Sequence, residues 1–524
     1  MTKRYDIVRL IVGLMTIWCM VVLAGCGGDT ERASGDRLVY GALTEPHSLH
    51  PLIGTDSAST EVQSLIYNAL VCVNGDKEIA GDLAESWTVS NGGKVYTFRL
   101  KDGITWHDGQ PFTADDVVFT FGMAKDKRIG YIDARELANI KRVTRDGREV
   151  TFRLAKADSA FLARVASLPI LPKHIWQSVV NLREEAPRIT PIGTGPYRFV
   201  EWKKAQYLRF TANDSYHKGA PHVKTLFYKI VPDSNVLAMQ LRRGEVDVCH
   251  LDFSAKQLLA KDKSVRVSES AGQAYTYIAL NHAKDIFADQ RVRRAMVSAF
   301  ERQAVIDNVL GGGAYIAIAD LPPTSLAQSA QPVSYDTNEA DRLLTEAGWV
   351  RGEDDIREKD GTKLAFRLLV SNKNKRLGDA AIAFRQNMMA VGIAVEIVPM
   401  DFTTMRTKHL LTGDYEACLI SQRLPTDPLL RAEVWTTNGA GNHMNYHSAK
   451  IDALYEKART ASGEARNDIF REVQTVLTDE MPQLFLWYPA VTIGTRQGID
   501  GIDAAHLGMK DNIFHNVETW TVVR

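Results

Sequence analysis

The chain has 524 residues, 63 Lys+Arg balanced by 63 Asp+Glu, 45% hydrophobic and 24% charged residues, and 8% aromatics. That composition belongs to a globular protein and excludes disorder, collagen and coiled coil; the length suits about three domains or one large two-lobed body. A net charge of zero without a basic block argues against a nucleic-acid partner, because phosphate-backbone binding depends on clustered Lys and Arg that release counterions.

Lys3, Arg4 and Arg9 precede an uncharged apolar run at 10–24, which has the length of a signal-peptide core and is short for a membrane span. The run ends in Leu23-Ala24-Gly25-Cys26, which resembles the bacterial lipobox, and the resemblance implies cleavage after Gly25 and a diacylglycerol on Cys26. Removing residues 1–25, with three cations and one anion, takes the net charge from zero to −2. Residues 26–36 read as a flexible tether. Cys72, Cys249 and Cys418 stand singly in apolar strings, form no C-x-x-C pair, and are expected to be core residues.

Along the rest of the chain, a strand is predicted at 38–43, a loop with Pro46 and Pro51, and a helix at 60–70. Val95-Tyr-Thr-Phe-Arg-Leu100 and Val150-Thr-Phe-Arg-Leu154 alternate with period two, each after a turn (Asn91-Gly92-Gly93; Asp146-Gly147), and predict antiparallel hairpins. Between them Thr113 and Asp116 make a capping box ahead of a helix bearing Val117, Val118 and Phe121. Strands are expected at 197–202, 207–212, 225–231 and 246–249, with a helix at 235–241. In the second half, Val292, Ala295, Met296, Ala299 and Phe300 mark one helix face, and Asp336 and Glu339 cap another helix that stops at Gly348. A strand at 364–370, a helix at 377–391 and a strand at 393–398 predict a parallel pair, followed by a short helix at 403–411 and a strand at 415–421. Ligands of open α/β sheets sit beyond the carboxyl ends of such strands, which points to the loop 422–428. No internal repeat, low-complexity tract or second membrane segment appears after residue 24.

None of G-x-S-x-G, H-E-x-x-H, Walker A, G-x-G-x-x-G or an EF-hand loop occurs. The pairs His47/His50 and His443/His447 have spacings that would suit a metal on a helix, but they lie among Pro, Asn, Ser and Gly and read as loop histidines; no metal and no cofactor is expected.

Several stretches together resemble the family 5 solute-binding proteins of bacterial ABC importers, the group of oligopeptide-, dipeptide- and nickel-binding proteins. They are Leu83-Ala-Glu-Ser-Trp87, Tyr96-Thr-Phe-Arg-Leu-Lys-Asp-Gly103, Trp106-His-Asp-Gly-Gln-Pro-Phe-Thr-Ala-Asp-Asp-Val-Val118, Gly193-Thr-Gly-Pro-Tyr197 and Gly244-Glu-Val-Asp-Val248. Phe287-Ala-Asp-Gln-Arg-Val-Arg-Arg-Ala-Met296 and Ala440-Gly-Asn-His-Met-Asn-Tyr446 with Ile451-Asp452 continue the series in the family's order.

The resemblance implies a mixed α/β, two-lobed periplasmic-binding-protein-like fold with the ligand in a cleft closed by hinge motion. Lobe I would combine 37–55, 187–274 and 487–524, carrying 56–186 as an added subdomain, and lobe II would span 275–486. The hinge would pass through Ala274-Tyr275 and Trp487-Tyr488. The loop 54–59, with Thr55 and Ser57, would face the cleft together with Tyr131. In the family's peptide binders, loop 422–428 carries W-x-A-D-Y-x-D-P, whose first Asp holds the peptide's α-ammonium. Here, on the alignment through Asp427-Pro428, Ser421 replaces the Trp, Leu424 replaces that Asp, and Arg423 adds a cation. Either Asp427 takes over the amine, or Arg423 and Arg431 hold an anionic group, or Asp427 caps a turn while both arginines face water. Tyr275, Tyr277, Trp435, Trp487 and Tyr488 are candidates for stacking against a solute or for core packing.

The reading is thus a monomeric, non-enzymatic lipoprotein, exported and anchored at Cys26 to the periplasmic or extracytoplasmic face of a bacterial membrane, that delivers peptides, or a peptide-sized solute, to an ABC permease. The alternatives are a binding protein for a metal chelate, sugar or opine, a secreted lipoprotein enzyme, or a receptor that only signals.

Overall fold

The computed structural model describes residues 36–73, 79–132, 134–166, 168–322, 325, 330–425, 427–503, 507 and 512–523. Cys26, the signal segment and all of the tether but Asp36 lie outside them.

The period-two runs become strands. Val95–Leu100 and Glu149–Leu154 pair in the middle of a four-stranded antiparallel sheet whose edges are Ala84–Ser90 and Ile140–Asp146. Tyr96 faces Phe152 and Phe98 faces Val150 across the ladder, all four buried, while Arg99 and Arg153 point to water. That alternation is the reason the register holds, because a one-residue slip would bury the arginines. Helix Ala114–Lys125 covers the apolar face, with Phe121 edge-on to Phe152 at 4.8 Å. Its capping box is made as expected, and Asp116 also accepts from the Lys173 backbone N–H at 2.8 Å.

A twelve-stranded sheet runs through the rest of the molecule. Its strands in chain order are β1 (Arg37–Ala42), β2 (Tyr197–Lys203), β3 (Tyr207–Ala212), β4 (Thr225–Ile230), β5 (Val248–Leu251), β6 (Val265–Ala271), β7 (Ala274–Leu280), β8 (Ala314–Ile316), β9 (Ala365–Ser371), β10 (Ala394–Met400), β11 (Ala417–Arg423) and β12 (Gln483–Arg496). The spatial order is β10-β9-β11-β7-β12-β5-β1-β4-β3-β2, with β6 and β8 also paired to β12. The predicted parallel unit is present: β9 pairs parallel with both β10 and β11, and helix Lys375–Ala390 forms the crossover. The short helix expected at 403–411 is instead one turn, Phe402–Thr404, continued by a π-turn at Met405–Leu410. The first helix starts earlier than expected, at Ser57, because Asp56 caps it by accepting from Ser59 N–H.

Strand β12 ties the two lobes together. Its first residues pair with β7 and β8, and Ala490 to Arg496 pair with β5 and β6. Buried apolar residues divide accordingly. One core runs from Leu38 to Trp520 and takes in the four-stranded sheet, a smaller one lies under helix Ser234–Arg243, and another gathers residues from Tyr275 to Tyr488. Ala160 reaches into that last core, beside Ser159, whose hydroxyl donates to Ala458 O at 2.7 Å. Cys249 and Cys418 are buried and free, and Cys72 is half-buried and free.

The Gly193-Thr-Gly195 turn has its composition for a steric reason. It lies against the end of helix Ser57–Ile66, where the Gly195 N–H donates to Ile66 O at 2.8 Å and a Cβ on Gly195 would stand 2.5 Å from Ile66 C. Gly195→Ala is therefore expected to lower stability by about 1–3 kcal/mol through overpacking. The urea midpoint measures this, and an unchanged midpoint would mean that the helix end yields without strain.

Candidate functional site

The carboxyl end of β1 feeds a loop that turns back into helix Ser57–Ile66, and the polar side chains of that helix fix the loop's shape. Ser59 Oγ accepts from the backbone N–H groups of His47 (2.9 Å) and Ser48 (3.1 Å) and donates to Asp56. Gln63 Nε2 donates to Ser48 O and Gly54 O. The loop so pinned forms one wall of a cavity of about 930 Å³, at the upper end of the size range of small-ligand sites. Other walls come from β4 and β5 (Tyr228, His250), the start of the added subdomain (Asn68, Cys72, Asp82), Tyr216 and Lys218, the C-terminal turn (Phe514, Glu518) and, from the far lobe, Arg423 at the end of β11.

Two polar clusters mark this cavity. In one, Glu61 accepts from Tyr40 Oη (2.7 Å) on one carboxylate oxygen and from Tyr228 Oη (3.0 Å) on the other, with His250 Nε2 at 3.7 Å. Burial, reinforced by Glu61, pushes both phenols well above their ordinary pKa, so both remain donors at neutral pH. In the other, Asp82 is buried and lies 2.9 Å from both Lys218 Nζ and His217 Nε2, and accepts from Asn68 Nδ2 at 3.0 Å. Burial alone would raise the Asp82 pKa, but the Lys218 ammonium and the hydrogen bond from His217 outweigh it and hold it at about 2. Among the described residues the cavity lining has four carboxylates, Glu61, Asp82, Asp503 and Glu518, and two fixed cations, Lys218 and Arg423.

Of the residues singled out from the sequence, Thr55, Ser57, Tyr131 and Arg423 line the cavity. Ser421 stands one strand position pair away, its hydroxyl 2.8 Å from Thr276 Oγ1. Leu424 is buried, its backbone N–H bonded to Gln273 O. Asp427 caps the turn at Pro428–Arg431 by accepting from Leu429 N–H and also pairs with Arg466, whose Nε donates to Ser159 Oγ. Tyr275, Tyr277, Trp435, Trp487 and Tyr488 are placed in the second lobe's core and not in the cavity wall. Arg431 joins them there, bonded to Asp320 and to Tyr275 Oη rather than facing water or a ligand's anionic group. Of the histidine pairs, His50 is buried, with Nδ1 accepting from Leu52 N–H, and no group of three or more His, Cys, Asp or Glu among the described residues is arranged to hold a metal. Glu61, Asp82, Lys218 and Glu518 were not foreseen. The one available signal was Glu61, the single charged residue in a helical stretch of Ser, Thr, Gln and apolar residues.

Two α/β lobes joined through a shared strand, with a roomy polar cavity where they approach, define a two-lobed solute-binding protein. Residues 78–432 match the family of bacterial extracellular solute-binding proteins, family 5, and the chain belongs to that family. It is 28% identical to the oligopeptide-binding protein AppA of Bacillus subtilis (strain 168) over the whole of both chains, and 30% identical to protein XP55 of Streptomyces lividans over 88% of this chain and 84% of that one. The structure of B. subtilis AppA in complex with a nonapeptide superposes with a TM-score of 0.69, covering 93% of this chain and 99% of that one at 28% identity. No described helix is long and apolar enough to cross a membrane.

Proposed function

We propose that this chain is a peptide receptor of an ABC importer. It takes up a peptide in the cavity between its lobes, closes over it, and presents it to the transmembrane subunits of a permease. The observation that carries this is the 930 Å³ cavity with acidic walls on one lobe and Arg423 reaching in from the other. Such a site has complementary groups for both ends of a zwitterion and draws the lobes together when both are engaged. The names of relatives that match over their full length support the same reading.

In this reading 37–55, 187–274 and 487–524 form lobe I, 56–186 its added subdomain and 275–486 lobe II, a division supported by the separate apolar cores. The hinge lies where β7 and β12 cross between them, at Ala274-Tyr275 and Trp487-Tyr488. The protein acts as a monomer without a catalytic step, anchored through lipid on Cys26, which keeps a captured peptide near its permease. Native mass spectrometry of the protein extracted in mild detergent should find co-purified peptides. Adding them back should raise the melting temperature, by about 4 kcal/mol of linkage at a thousandfold excess over Kd. Absence of any peptide-induced shift, alongside a shift with another solute, would overturn the peptide assignment.

A further inference from the structure

The second lobe contributes to the cavity, among the described residues, only the cationic Arg423. A positively charged ligand group must therefore be held by the first lobe. Of the four carboxylates there, Asp82 is saturated by Lys218, His217 and Asn68. Glu61 is occupied by two tyrosine hydroxyls, and Asp503 has a partner as well. Glu518 differs. It has no hydrogen bond or ion pair to another side chain among the described residues; its own backbone N–H supports it, and Lys218 acts on it only at longer range.

Glu518 is nevertheless held firmly. It sits on the turn Ile513–Thr519, whose Phe514 and Val517 are buried in the first core next to Trp520. Phe514 packs edge-on to Tyr40 at 4.8 Å, and Trp520 Nε1 donates to Asn516 Oδ1 at 3.0 Å. A carboxylate fixed in a cavity wall, partly desolvated and without a hydrogen-bonded cation among the described residues, is unfavourable until an ammonium arrives, and burial accordingly raises its pKa.

We propose that Glu518 is the specificity-determining residue that holds the ligand's ammonium, supplied either by a peptide N-terminus or by a lysine side chain. The proposal rests on the peptide reading above.

The test is isothermal titration of the detergent-extracted protein and of Glu518→Gln. The probes are tri-, tetra- and penta-alanine, their N-acetylated forms, and N-acetylated forms with one internal lysine. Where Glu518 holds the N-terminus, acetylation weakens binding to the unsubstituted protein between about tenfold and a hundredfold, the value of a charged hydrogen bond, and leaves binding to Glu518→Gln unchanged. Where it holds a side chain, the advantage of the lysine peptides over the acetylated alanine peptides disappears in Glu518→Gln. Either result supports the proposal. Damage to the fold would weaken blocked and unblocked peptides equally, so equal losses, or no loss, overturn the role of Glu518 while leaving the peptide reading in place. No binding of any peptide to the unsubstituted protein overturns both.

Discussion

Asp320→Ala is expected to destabilise the protein by about 3–5 kcal/mol, the range for removing one partner of a buried ion pair. Asp320 is 1% exposed and gathers three donors in the second core: Arg431 Nε at 3.0 Å, Gln474 Nε2 at 2.9 Å, and Trp435 Nε1. Arg431 in turn donates to Tyr275 Oη at 2.9 Å, which also accepts from Gln483 Nε2 at 2.8 Å. Without Asp320 the guanidinium keeps its burial and loses its counterion, and the Trp435 and Gln474 donors are left unpaired. Urea unfolding followed by tryptophan fluorescence measures the loss. The double substitution Asp320→Ala, Arg431→Met should recover a large part of it, because it removes the orphaned charge. A loss below about 1 kcal/mol for Asp320→Ala would show that water enters and solvates the arginine.

Acidification from pH 7 to pH 5 is expected to remove about 4–6 kcal/mol of stability. Three histidines are held neutral by burial: His50 with its pKa lowered to about 3, His107 to about 4 and His282 to about 4. Hydrogen bonds explain why the folded state refuses the proton. His107 Nδ1 accepts from Gly193 N–H, so its proton sits on Nε2, facing Gly195 O at 3.0 Å; a second proton would set N–H against N–H. His50 Nδ1 accepts from Leu52 N–H in the same way. His282 donates to Pro482 O at 2.8 Å, and its pKa is lowered by burial and by Arg293.

The unfolded chain protonates all three near pH 6.5, so stability is complete above that pH. Below it, stability falls by about 1.4 kcal/mol per pH unit for each group, until the folded pKa is reached. Asp82, held at about 2, contributes above the ordinary aspartate range and is lost only below it, outside this window. Glu518, raised by burial, works in the opposite sense but is a single group. Denaturant titrations at the two pH values read the difference directly, and His107→Asn should flatten the dependence by about one group's share. Stability constant to within about 1 kcal/mol would refute the neutral-histidine account.

Much of the architecture was legible because it rests on short-range rules. Period-two alternation located both hairpins, and the buried Tyr96, Phe98, Val150 and Phe152 are the alternating residues themselves. Caps at Thr113 and Asp336 marked helix starts to the residue. The strand-helix-strand pattern at 364–398 required a parallel pair, and the rule for parallel strands led to Arg423, which does reach the cavity. The long strand β12 was missed as a strand: its uninterrupted apolar run, buried on both faces between β7 and β5, shows no alternation to read.

The aromatic candidates show the limit of composition. Tyr275, Trp435 and Tyr488 are suitable for stacking on a ligand and equally suitable for a core, and the choice was made by Asp320, Arg431 and the Ala319 carbonyl, which satisfy their polar atoms inside the second lobe. No local pattern carries that information.

The sequence by itself determined most of the elements, the parallel unit and the family, since each is written in neighbouring residues or in motifs with fixed spacing. Tertiary structure alone decided which groups face the ligand. Glu61 meets Tyr40 and Tyr228 only because β1 pairs in parallel with β4, which sets Tyr228, 167 positions along the chain from Glu61, beside Tyr40. Glu518 lines the cavity only because the C-terminal turn is anchored in the first core. Side chains distant in sequence converge through strand register and core packing, and neither is fixed until the whole chain has folded.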